Sequence, residues 1–221
     1  MKDMKQLTTN RYKAVSYTSR LCRPLGYKET PENSYNRNFP EYGYSISIRP
    51  FCIETDFPLA YEWVSRTYEP HYWKMSGPAK QLEDTYRLML EADFAQPFIV
   101  LLNNQPVCLL DIYQGLYHEL SLYYNMQPDD YAIQYLLAPH KKTDKALAAC
   151  IMETCLHYFF SFREVKRIIS DPHIFDTMMN EVVRQTGFRL ITKLDTPYKR
   201  AYLYFCTPNS FCLNPLLTQK H

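Results

Sequence analysis

Polar and apolar residues alternate along 44–50, Tyr-Ser-Ile-Ser-Ile-Arg-Pro, which predicts a half-buried strand stopped by its proline. The period then lengthens. Asp56 predicts the N-cap of a helix reaching about residue 66, with Pro58 in its first turn. A second helix is expected over 78–90, where Leu82, Tyr86 and Leu90 share one face. Strands are predicted at 97–102, 107–113, 118–124 and 132–137, with Asn103-Asn104-Gln105 as a tight hairpin connection. The longest apolar stretch, 143–162, reads as a helix with Leu147, Ile151, Thr154, Cys155 and Tyr158 on one stripe. A strand at 165–170, a helix at 174–186 ended by Gly187, and two antiparallel strands close the pattern. Residues 1–44 are expected to form an irregular extension, because 31–40 is turn-forming and has no period. The segment 207–221, with Pro208 and Pro215, reads as a tail over the surface. One α/β domain over 45–206 follows, built on a mixed central sheet. Sheets of this kind bind ligands where neighbouring strands diverge at a switch in chain order.

Composition narrows the classes without selecting one. The chain of 221 residues is long enough for a single domain with a real core. Its net charge of +2 gives no reason to expect nucleic acid or a membrane as partner. With 46% apolar residues and 20 tyrosines, disorder is excluded. The seven cysteines include no Cys-x-x-Cys pair, so neither a metal site nor a disulfide framework is expected. Met1-Lys2-Asp3-Met4-Lys5-Gln6 lacks the apolar core of a secretion signal, and no run reaches membrane-spanning length. A reduced, cytoplasmic location is the expectation.

The turn His140-Lys141-Lys142-Thr143-Asp144-Lys145 joins a predicted strand to a predicted helix. Unpaired N–H groups and the positive end of the helix dipole suit a pyrophosphate there, and the lysines add charge. A solvated lysine cluster is the other reading of the same residues. No local motif for a Ser-His-Asp or Cys-His arrangement is present, nor a Gly-x-x-x-x-Gly-Lys loop. His118 and Glu119 read as strand surface, with the cleft as the alternative for one of them, and His157 reads as a packing histidine.

Several short elements in order resemble the GNAT-superfamily acyltransferases of siderophore assembly, the group of N6-hydroxylysine acetyltransferases and the mycobactin lysine N-acyltransferase. The family strand Asp-x-Gly-x-His-x-Leu-Ile, followed by proline, resembles Asp130-Tyr131-Ala132-Ile133-Gln134-Tyr135-Leu136-Leu137 with Pro139. The family stretch Arg-hydrophobic-hydrophobic-x-Glu-Pro-Asp-x-x-Asn resembles the run from Arg167-Ile168-Ile169-Ser170 through Asp171-Pro172-His173 to Asp176. Gly187-Phe188 and Arg200-Ala201-Tyr202-Leu203 are similar to the closing elements. Upstream, Asp111-Ile112-Tyr113 resembles the family Glu-x-Tyr, and His71-Tyr72-Trp73-Lys74-Met75 resembles its aromatic substrate segment. Two positions depart: the family histidine falls on Gln134 and the family catalytic aspartate on His173.

The resemblance implies a GNAT-like domain whose sheet is splayed at an acyl-CoA site. It implies an acyl-CoA-dependent N-acyltransferase, acetyl-CoA being the first-choice co-substrate, acting on a small-molecule amine or hydroxylamine. Acyl-CoA would lie beside Leu136 and Leu137, with its pyrophosphate on Lys141, Lys142, Thr143 and Lys145. The acceptor would meet His71, Trp73, Asp111 and Tyr113, with Gln134 and His173 as the catalytic pair. Gln134 cannot titrate, whereas an imidazole at 173 can take a proton near neutral pH. The exchange matters less for a hydroxylamine, which is largely neutral at pH 7, than for an alkylammonium with a pKa of about 10.4. Positioning and a backbone donor from residues 135–137 for the developing oxyanion remain. Two alternatives stay open: a quiet acyl-CoA-binding module, and a GNAT enzyme for another amine.

Overall fold

The structure, a computed structural model, describes residues 35–66, 78–139, 144–197 and 199–212. Strands β1 (Tyr35–Phe39) and β2 (Tyr44–Pro50) pair antiparallel around a single 3-10 turn, Pro40–Tyr42. Gly43 ends that turn at φ 66°, a left-handed conformation that glycine adopts without cost. Strand β1 lies where the sequence predicts loop. The prolines and asparagines around it hide a short strand whose only buried side chain is Phe39.

Helix α1 spans Ile53–Arg66 and α2 spans Ala79–Glu91. Asp56, expected as the N-cap of α1, sits one turn inside the helix. It still secures that end, accepting from the Cys52 N–H at 2.8 Å and gripping Arg49 through both guanidinium nitrogens at 2.6 and 2.8 Å. On α2, Leu82 and Tyr86 are buried as expected, and Met89 rather than Leu90 completes the buried face.

Strands β3 (Ala95–Leu102) and β4 (Gln105–Gln114) form the hairpin that Asn103-Asn104 predicts, both residues having positive φ, 48° and 66°. The strand predicted at 118–124 is absent. Two 3-10 turns, Gly115–Tyr117 and Glu119–Leu122, replace it. Gly115 lies so close to the next strand that an added Cβ would stand 2.9 Å from the Cβ and the carbonyl oxygen of Asp130. His118 then caps the second turn, its ring accepting from the Leu120 N–H. A side chain that satisfies the local backbone competes successfully with a sheet ladder.

Strand β5 (Asp130–Leu137), helix α3 (Lys145–Phe160), strand β6 (Arg167–Ser170), helix α4 (Thr177–Gln185), strands β7 (Arg189–Asp195) and β8 (Arg200–Cys206), and the short helix α5 (Pro208–Cys212) follow. All eight strands join one mixed sheet in the order β1-β2-β3-β4-β5-β6-β8-β7. Among the described strands, only β5 and β6 run parallel. Helices α3 and α4 cover one face through Ile151, Cys155, Val182 and their neighbours. Helices α1 and α2 cover the other through Trp63, Leu82 and Tyr86, and the 3-10 segment continues that cover with Leu120 and Met126. Helix α5, in the segment expected as a loose tail, buries Phe211 in the α3 cluster. It also lies against Gly187, where a Cβ would meet the Ser210 carbonyl at 2.8 Å.

Candidate active site

Strand β5 pairs with β4 along 131–137 but with β6 only at three positions, Asp130 with Arg167, Tyr131 with Ile168, and Ala132 with Ile169. Beyond Ala132 the two parallel strands part. In a ladder, alternate residues aim their N–H and C=O groups at opposite neighbours, so residues 133–137 carry backbone groups directed into the gap. Burial follows the parting: 130–133 are buried and 134–137 are half-exposed. A cleft opens there, lined from β5 by Ile133, Gln134 and Tyr135 and across the gap by Ser170, Asp171, Pro172 and His173, with Asp176 and Lys199 at its margin. The predicted pair, Gln134 and His173, therefore faces one cavity from opposite strand ends.

Each wall is held locally. Asp176 caps α4 by accepting from the Met179 N–H at 3.0 Å, and Asn180 donates to the His173 carbonyl at 2.8 Å. Asp171 pairs with Lys199 at 2.7 Å. The His173 ring accepts from the Phe175 N–H through Nδ1 at 3.2 Å, which leaves the proton of the neutral ring on Nε2. On the other wall, Gln134 stands directly across from Asp111 of β4, so their side chains share the face covered by α1 and α2. Tyr113, two residues on, shares that face and its hydroxyl meets Met89 Sδ at 3.5 Å.

Asp111 is fully buried, and neither carboxylate oxygen has a hydrogen-bond partner among the described residues. Burial pushes its pKa up to about 8. Tyr86, equally buried, has its phenol raised well above the ordinary value by burial and then by Asp111. Asp111 lies inside β4, three residues from its end.

His118 is the residue that sequence reasoning set aside. It is 5% exposed, 3.0 Å from the side-chain amide of Gln134 through Nε2, and its ring centroid is 5.1 Å from that of Tyr113. The signal for it was Gly115, a turn-former three residues before His118, whose turn carries on into the segment read as a strand.

Of the cofactor residues, Leu136 and Leu137 lie on the open half of β5, packed toward opposite faces of the sheet. Asp144 caps α3 by accepting from the Leu147 N–H at 2.8 Å. Lys145 reaches across to Glu181 of α4 at 3.0 Å in an exposed pair. Lys141, Lys142, Thr143, His71 and Trp73 lie outside the described residues.

A family model described as an acetyltransferase (GNAT) domain matches residues 52–196, the span that holds the cleft. The chain belongs to the GNAT acetyltransferases. As a member it is an acyl-CoA-dependent N-acyltransferase. Among relatives of this GNAT chain, the N-hydroxyputrescine acetyltransferase of Acinetobacter baumannii is 21% identical over 173 residues, 78% of this chain and 83% of that protein. The lysine N-acyltransferase MbtK of Mycobacterium tuberculosis is 22% identical over 200 residues, 90% of this chain and 89% of that protein. In fold, the GNAT domain matches a crystal structure of aminoglycoside acetyltransferase AAC(6')-Ib in complex with coenzyme A. The TM-score is 0.67 at 21% identity, covering 75% of this chain and 96% of that one. Among the described residues, no helix is long and apolar enough to cross a membrane.

Proposed function

We propose that this enzyme transfers an acetyl or similar acyl group from acyl-CoA to an N-hydroxylated amine of the N-hydroxylysine or N-hydroxy-diamine type, as in siderophore assembly, from a cytoplasmic location. The observation that carries the reading is that, among the described residues, the bases lining the cleft are already engaged, Asp171 by Lys199 and Asp176 by the start of α4. His173 and His118 both have Nδ1 occupied by a backbone N–H. The carboxyl facing Gln134's side of the sheet holds its proton to about pH 8. Such a site suits a nucleophile that arrives neutral. The name of one relative, an N-hydroxyputrescine acetyltransferase, supports this class of acceptor, whereas the other, a lysine N-acyltransferase, is named for an amine.

In the proposed reaction the acceptor nitrogen attacks the thioester carbon, the new C–N bond forms, and the C–S bond breaks. The nitrogen loses one proton and the departing thiolate takes one up, so charge balances. The backbone N–H groups within 135–137 that face the unpaired edge receive the oxygen as it gains charge. Asp111 offers a buried carboxyl to the cationic end of a diamine. An ammonium arriving there drives off the proton and leaves an ion pair. Trp73, His71 and Tyr113 complete the acceptor wall in this reading. Lys141, Lys142, Thr143 and Lys145 take the pyrophosphate.

A second reading, a plain amine as acceptor, is favoured by one feature. Asp111, buried on β4 across from the cleft-lining Gln134, has a carboxyl titrating near pH 8 that can serve as base for an ammonium. Thiol release from acetyl-CoA separates the two, measured with N-hydroxyputrescine and with putrescine. The expected result is a kcat/KM at least tenfold higher for the hydroxylamine, and His173→Asn changing that activity by only a few fold. Faster turnover of putrescine, with a loss of about a hundredfold or more in kcat in Asp111→Asn, identifies base catalysis on a plain amine instead.

A further inference from the structure

The polar contacts around His118 decide more than its own orientation. Its Nδ1 accepts from the Leu120 N–H at 3.2 Å, a donor at the start of a 3-10 turn where early N–H groups have no partner inside the turn. A neutral imidazole that accepts at Nδ1 carries its hydrogen on Nε2. As placed in the structure, that Nε2 lies 3.0 Å from the nitrogen of the Gln134 carboxamide. Two donors cannot face each other at this distance. The Leu120 N–H fixes Nδ1 as the acceptor, so the bonding arrangement is the carboxamide turned over by half a turn from its placed orientation, with the oxygen toward His118 and the NH2 away from it. The two ends of a carboxamide have the same shape, and the surrounding hydrogen bonds choose between them. His118 is itself held in place. It is 5% exposed, it packs against Tyr113, and it belongs to a segment that Gly115 allows to close against Asp130. Gln134 sits where β5 leaves β6 and lines the cleft.

We infer that His118 is a positioning residue for acyl transfer: by accepting at Nδ1 and donating at Nε2 it orients the Gln134 amide so that its NH2 donates into the cleft, to the thioester carbonyl oxygen of the acyl-CoA. The inference rests on the N-acyltransferase reading and is independent of which acceptor the enzyme uses. It gives the non-titrating Gln134 a definite part in the reaction. A glutamine of fixed polarity is a hydrogen-bond donor aimed at an atom that gains negative charge, and such donors act without taking up or releasing a proton. It also accounts for a buried histidine placed beside a residue that cannot exchange protons with it.

Isotope-edited infrared spectroscopy of [1-13C]acetyl-CoA bound to the full chain tests this directly, because a donor on the carbonyl lowers its stretching frequency. The parent and His118→Gln, whose amide reaches the place of the imidazole Nε2, are expected to lower the band relative to free acetyl-CoA. In His118→Leu and Gln134→Ala the lowering should be reduced. Steady-state thiol release should follow, with kcat at least tenfold lower in His118→Leu, the acetyl-CoA KM within threefold of the parent, and most of kcat recovered in His118→Gln. On a Gln134→Ala background, His118→Leu should cost less than a further twofold, since residues acting as a unit are not additive. A carbonyl band unchanged between parent and His118→Leu overturns the inference, as do losses that multiply in the double variant. Should His118→Leu fail to fold, Gln134→Glu decides: it keeps the acceptor end and lacks the NH2, so its band should match that of Gln134→Ala, and a parental band overturns the inference. A preference for putrescine over N-hydroxyputrescine counts against the hydroxylamine acceptor and leaves the band comparison standing.

Discussion

The two halves of β5 have opposite surroundings although they belong to one strand of eight residues. At its first half, β5 is paired on both sides and clamped. Asp130, 2% exposed, holds Arg167 through both carboxylate oxygens at 2.6 Å and accepts the Gln127 N–H at 2.8 Å. The guanidinium also lies near the rings of Tyr124 and Phe205, at 5.9 and 5.7 Å from their centroids. At its second half, β5 keeps β4 and loses β6, and its side chains become half-exposed. Backbone groups left without a strand partner are a liability anywhere else in a sheet. Here they form the wall of the cleft. A parallel pair can open at one end because it is zipped and ion-paired at the other.

Breaking the clamp should have the largest effect. Arg167→Ala leaves a buried carboxylate without its cation, a change that costs about 3 kcal/mol or more in comparable sites. For a chain of this length that corresponds to a melting temperature roughly 6–12 °C lower, measured by calorimetry. Loss of activity with an unchanged melting temperature would mean that the pair serves the cleft rather than the closed end.

A second, smaller effect lies across from the open half, at Asp111. The unfolded chain ionises this carboxyl near its ordinary value of 3.8, whereas the folded chain retains the proton to about 8. The folded state therefore binds more protons between those values, and this group costs stability progressively as pH rises from about 4 to about 8. Asp111→Asn removes that slope. The variant should melt higher than the parent at pH 8, with the gap narrowing toward pH 4. Its KM for N-hydroxyputrescine should rise while the acetyl-CoA constant stays nearly unchanged. Parallel stability curves would show that Asp111 is ionised in the folded protein.

The smallest effect is expected at Lys145. Its ammonium is exposed and already paired with Glu181, and such pairs contribute little. Lys145→Ala should weaken coenzyme A binding less than threefold by calorimetry, and still less at high salt. A tenfold loss would make Lys145 a principal phosphate contact.

The sequence made the open half of β5 legible through a resemblance and the closed half through ordinary patterning. Asp130, Arg167, Gln134 and His173 were all in register with the family strand and loop. What escaped was local chemistry that competes with periodicity. His118, Leu120 and Leu122 alternate like a strand, yet a histidine accepting from its own second neighbour and a glycine pressed against Asp130 convert the segment to 3-10 turns. That single misreading hid the imidazole beside Gln134. Strand β1 escaped for the converse reason, because Pro40 and the asparagines announced loop while Phe39 alone carried the burial. Asp111's depth was equally illegible. Alternation marks it as facing one side of β4, but only the packing of α1 and α2 over that side makes the carboxyl fully buried.

Hydrogen–deuterium exchange along β5, with and without acetyl-CoA, tests most directly whether the acyl donor lies on the open half. The amides of 133–137 that face the gap should exchange readily in the free enzyme and slow markedly when acetyl-CoA binds. Those of 130–132, already paired with β6, should be protected in both states. Protection by acetyl-CoA that appears elsewhere and leaves 133–137 unchanged would contradict the account.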